Sequence, residues 1–161
     1  MQEKSFQQIF DIQLLSQNTI LIDEKGGQCC DFLLLELVKH FNYSIFQFND
    51  SGAYLKKAIS KYNLNSTINS IYSTTYNLED IVDDISVQKM LGYNIKPKVG
   101  VFRSETATKD EYYNYDLVVI VDKLLSGCTN KIDGYLKIVK RDQVIYNVKY
   151  KIYADRIGYF E

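Results

Sequence analysis

The segment from Asn18 to Phe41 constrains the fold more than any other part of the chain. It opens with a short apolar run, NTILID, and passes through EKGGQ, where Gly26 and Gly27 break regular structure. It continues as CCDFLLLELVKHF, from Cys29 to Phe41, which is apolar around most of a helical circumference. Only Glu36, Lys39 and His40 give that helix a polar side. A helix of this kind is largely buried, and a short apolar run ending at glycines reads as a buried strand. Strand, turn and buried helix together predict a helix lying across a sheet, the unit of α/β folds.

The rest of the chain extends this pattern. Phe6, Ile9, Phe10 and Leu14 recur at helical spacing and predict a short amphipathic helix over Glu3–Leu15. Tyr43–Phe48 reads as a strand, and NDSG can cap a helix running from Ala53 to Tyr62. A polar stretch follows over Asn63–Asn69. Leu78–Met90 carries Leu78, Ile81, Val82 and Ile85 at helical spacing, with acids early, so a further helix is expected there. Lys98–Phe102 and Asp116–Val121 read as strands separated by the polar loop RSETATKDEYYNY. Asp133–Val139, Val144–Ile152 and Arg156–Phe160 alternate apolar and polar residues, the mark of half-exposed antiparallel strands, and Lys140–Asp142 makes a tight turn. The expectation is one domain over residues 1–161. It is an α/β fold with a mostly parallel sheet flanked by helices and closed by a C-terminal antiparallel hairpin or meander.

With 161 residues, 46% apolar and 24% charged, the chain has ordinary globular composition. A net charge of −1 gives no overall bias toward nucleic acid. Cys29, Cys30 and Cys128 are odd in number and two are adjacent, which suits a reducing compartment rather than a disulfide framework. The polar start MQEKSFQQIF lacks the apolar core of a signal peptide, and no apolar run is long enough to span a membrane. A cytoplasmic setting is expected, with the nucleus as an addition. The abundance of Tyr, with Asn, Ile and Lys, reads as the product of an A/T-rich genome rather than as a functional surface.

No complete catalytic site is legible, and the chain reads as a non-enzyme with no catalytic, cofactor or metal residues. A phosphate-binding loop needs G-x-x-x-x-G-K-[ST] after the first strand. DEKGGQCCDF has adjacent glycines, no following Lys or hydroxyl, and acids at Asp23, Glu24 and Asp31 that repel a triphosphate. The cysteines and His40 do not match zinc spacing. His40 reads as a surface residue, and Glu79, Asp80, Asp83 and Asp84 read as a solvated helix face. The basic residues carry the clearest signal. Arg103 and Lys109 lie in the long loop. Lys140 and Arg141 lie on the closing hairpin, near Lys137, Lys149 and Lys151 and interleaved with Tyr135, Tyr146, Tyr150 and Tyr153. Lysines contact phosphates and tyrosines stack on unpaired bases, so Arg103, Lys109, Lys140 and Arg141 are the RNA-binding candidates. Edge protection by lysine is the competing account of the hairpin.

In order along the chain, several segments resemble the sixth subunit of the Elongator complex. NTILIDEKGGQCCDFLLLELVKHF is similar to its first strand, degenerate loop and first helix. YLKKAISKYNLN and VGVFRSETATKDEY resemble later pieces. LLSGCTNKIDGYLKIVKRD with YKIYADRIGYF resembles its C-terminal segment, through Ser126, Gly127, Asp133, Gly134, Leu136 and Ile138. The chain departs from that family in being shorter around Tyr72–Asn94. The resemblance implies a RecA-like fold without a functional phosphate loop. It implies a non-catalytic subunit that joins two related RecA-like subunits in a hetero-hexameric ring. That ring meets the larger Elongator subunits, binds tRNA and supports wobble-uridine modification, with no membrane involved. A Rad51-paralogue-like pseudo-ATPase that binds single-stranded DNA in recombination is the alternative, and a small standalone enzyme a more remote one.

Overall fold

The computed structural model describes residues 1–25, 30–47, 53–61, 68–70, 80–83, 96–103, 107–124 and 130–161. Its elements run α1 (Phe6–Ile9), α2 (Ile12–Gln17), β1 (Ile20–Glu24), α3 (Asp31–Phe41), β2 (Ile45–Gln47), α4 (Ala53–Lys61), β3 (Ile68–Ser70) and β4 (Ile81–Asp83). They continue with β5 (Val99–Phe102), α5 (Lys109–Tyr113), β6 (Leu117–Lys123), β7 (Gly134–Lys140), β8 (Gln143–Ile152) and β9 (Ile157–Phe160). The described strands form one sheet in the order β3-β2-β4-β5-β1-β6-β7-β8-β9. From β3 to β6 neighbours are parallel, and from β6 to β9 they are antiparallel. The α/β class and the antiparallel C-terminal strands are as the sequence predicts. The expectation of a mostly parallel sheet is corrected to a mixed one, because β7–β9 extend the same sheet as three antiparallel strands.

Burial explains the two strand types. β1 lies between β5 and β6, with Ile20, Leu21, Ile22 and Asp23 all buried, so it reads as a continuous apolar run. β7 alternates buried and half-buried positions because only one of its faces meets the core. On one side of the sheet, Ile20, Ile22, Val99, Val101, Val119, Leu136 and Tyr150 pack with Leu33, Leu34, Leu37 and Val38 of α3. On the other, Leu21, Phe102, Ala107 and Val118 pack with Tyr112 of α5 and with Tyr115. Asn42 ends α3 in the left-handed region, at φ 56°, and its N–H bonds to the Val38 carbonyl at 2.9 Å.

Tyr146 and Tyr150 turn to the opposite face from Lys137, Lys149 and Lys151, whereas Tyr135 lies on the lysine face, paired in register with Lys149. Tyr150 is fully buried against Phe32, with ring centroids 4.6 Å apart, and Tyr146 meets Phe10 at 5.4 Å. Lys137, Lys149 and Lys151 are half-buried at the alternate positions. The pattern that resembled an aromatic–basic binding surface is, for Tyr146 and Tyr150, the period of a strand with one face in the core.

Four other expectations change. The helix over Glu3–Leu15 divides at Phe10, whose extended backbone turns its ring inward. Asp11 then starts α2 by accepting the N–H groups of Gln13 and Leu14 at 2.9 and 3.1 Å. Within Leu78–Met90, residues Ile81–Asp83 form strand β4 rather than a helix, buried between β2 and β5. A three-residue stretch with two apolar residues cannot be assigned by periodicity alone, and tertiary pairing decides it. The remainder of that span lies outside the described residues. Ile68–Ser70, in part of the expected polar stretch, pairs with β2 as β3. The loop after β5 contains α5, capped by Thr108 and Glu111, which bond to each other's backbone N–H groups. Thr-x-x-Glu is a capping box and marks this helix in the sequence.

Three residues shape the closing hairpin. The β7–β8 turn has two residues, Arg141 at φ 48° and Asp142 at φ 66°. Both are left-handed, as a type I′ turn requires, and neither is glycine. Arg141→Asn with Asp142→Gly is therefore expected to raise stability by about 0.5–1.5 kcal/mol, measured by urea unfolding. Gly134 begins β7 under the Tyr150 side chain. A Cβ there would stand 2.5 Å from the Asp122 carbonyl oxygen and 2.6 Å from the Tyr150 hydroxyl. Gly134→Ala should cost about 1–3 kcal/mol in the same assay, while Ala at exposed Asn147 should cost little.

Candidate functional site

Parallel strands carry their ligand sites at their carboxyl ends. In this chain Glu24 ends β1, Asp83 ends β4 and Arg103 follows β5 at that edge, opposite the head of α3. The register places Asp23 beside Phe102, and Val82 and Asp83 beside Gly100 and Val101, which brings the three strand ends together.

The Arg103 guanidinium is the centre of the arrangement. Its Nε donates to Asp83 Oδ1 at 2.6 Å and its Nη2 to Asp83 Oδ2 at 2.8 Å, a bidentate pair. Nη2 also donates to Asp31 Oδ1 at 2.5 Å, and Nη1 to Glu24 Oε2 at 3.3 Å. Glu24 Oε2 in addition accepts the backbone N–H of Cys30 at 3.0 Å, at the head of α3. Burial alone would make the guanidinium easier to deprotonate. The Asp83 hydrogen bonds and the surrounding negative charge outweigh it and hold Arg103 firmly protonated. The buried Cys30 thiol is pushed well above its ordinary range by the same loss of water, so it is not a reactive thiolate.

Helix heads attract anions because their first N–H groups are unpaired and the dipole is positive there. Here a protein carboxylate, Glu24, takes the N–H of Cys30. Three carboxylates face one guanidinium, which leaves an excess of two negative charges at the site. Of the three acids expected to repel phosphate, Glu24 and Asp31 face Arg103, whereas Asp23 lies on the opposite face of the sheet. Asp83, expected on a solvated helix face, is instead 4% exposed and clamped to Arg103. Asp80 accepts the Ser44 N–H at 3.2 Å, while Glu79 and Asp84 lie outside the described residues.

On the opposite face of the sheet, Asp23 is fully buried. It accepts a short hydrogen bond from the Tyr112 hydroxyl and lies 3.7 Å from Lys25 Nζ. Burial and the Asp23 carboxylate raise the Tyr112 phenol well above its ordinary value, so it stays a donor. This bond ties α5 to the end of β1.

The four RNA-binding candidates do not form one surface. Arg103 is enclosed by carboxylates at the carboxyl edge. Lys109 is exposed at the start of α5. Lys140 and Arg141 sit at the opposite edge, roughly 13 Å away along the strands and roughly 14 Å across three strand spacings. There the Asp116 carboxyl is held below its usual range. The Thr19 N–H and hydroxyl act first, desolvation opposes them, and Lys96 and Lys140 add lesser support. His40, expected as a surface residue, is mostly covered. It stacks on Phe6 at 5.2 Å and bonds to Glu36 at 3.2 Å and Gln7 at 3.1 Å. Gly26, Gly27, Cys29, Ser126, Gly127 and Cys128 lie outside the described residues.

Among the described residues no group of three or more His, Cys, Asp or Glu side chains is arranged to hold a metal ion, and no helix is long and apolar enough to cross a membrane. No protein-family model matches the chain, and no curated protein matches it.

Proposed function

We propose that this chain is a non-hydrolysing, RecA-like subunit that works inside a larger assembly, and that the assembly is the Elongator accessory ring. The observation that carries the first part is the Glu24–Arg103 cluster. Where a nucleotide-binding relative would offer a helix-head amide and a free cation to phosphates, Glu24 takes the N–H of Cys30 and three carboxylates take the Arg103 guanidinium. Such a site repels a triphosphate without any loss of fold. A RecA-like reading draws support from the placing of β1 inside a run of parallel strands, followed directly by a buried helix. The choice of assembly rests on the sequence resemblance through Gly134, Leu136 and Ile138, three residues that β7 presents in the closing hairpin. On this reading the chain pairs with two related RecA-like subunits, and the ring they form binds tRNA and meets the larger Elongator subunits in the cytoplasm, with the nucleus as a second location.

Affinity purification of the tagged full chain from its own cells, followed by mass spectrometry, tests the proposal. Two RecA-like partners together with the large Elongator subunits are the expected recovery. Recombination proteins, or a chain recovered alone, would overturn the assignment to Elongator while leaving the account of the Arg103 cluster standing.

A further inference from the structure

We draw no further inference here: the strongest candidate, the open groove of about 680 Å³ between α1, α3 and the turn before β9, has Phe6 and Phe32 of its walls already buried in the core and Lys4, Glu36 and Arg156 already paired with other protein side chains, and nothing in the structure shows what would fill it.

Discussion

Arg103→Met is expected to destabilise the fold by about 3–5 kcal/mol. The substitution removes the one guanidinium that faces Asp83, Asp31 and Glu24 and leaves three carboxylates beside one another with little water. A single exposed ion pair contributes about 0–1 kcal/mol, so the size of the loss distinguishes the two situations. Urea unfolding of wild type and variant measures the loss. Arg103→Lys keeps the charge but loses the two-pronged contact with Asp83, and an intermediate loss is expected for it. A deficit below about 1 kcal/mol for Arg103→Met would mean that solvent screens the cluster and that it holds the strand ends only weakly.

Phe10→Ala is expected to cost about 3–5 kcal/mol. The residue belongs to the short segment before β1, but its ring is 2% exposed. It packs against Phe6, Tyr146 and Tyr159 with centroids at 4.8, 5.4 and 5.4 Å. The N-terminal segment is further tied to the sheet by paired backbone bonds between Lys4 and Tyr159 at 2.9 and 3.0 Å. Residues 4–10 therefore belong to the core on this account, and Phe10→Leu should recover part of the loss by refilling some of the cavity. Thermal unfolding followed by near-ultraviolet circular dichroism tests this. A cost below about 1 kcal/mol would show that the segment lies on the sheet without supporting it.

The parts of this fold that were legible in the sequence are those where local pattern and final burial agree. The apolar run of β1, the nearly all-apolar α3 and the alternation in β7–β9 each state their surroundings directly. β4 was misread because Ile81 and Val82, with Leu78 and Ile85, also satisfy a helical period. Its strand character comes from pairing with β2 and β5, which are distant in sequence. The site was half legible. Glu24 and Asp31, singled out in the sequence with Asp23, both meet at the cluster, while Asp23 turns to the other face of the sheet. Arg103 could be read only as one basic residue in a polar loop, because its partners lie 20, 72 and 79 positions away. They meet only once β1, β4 and β5 are neighbours. The mixed character of the sheet was hidden for a similar reason. The strands after β6 advertise antiparallel pairing, but their alternation leaves open whether they extend the sheet or flank it.

On the proposed function, the protein's own carboxylates take the place where phosphates would bind. Isothermal titration of the purified full chain with magnesium-ATP tests it most directly. The account predicts no heat of binding at millimolar nucleotide and no phosphate release, for the wild type. Saturable binding in the micromolar range by the wild-type chain would contradict it, because a triphosphate could then displace Glu24 from the head of α3.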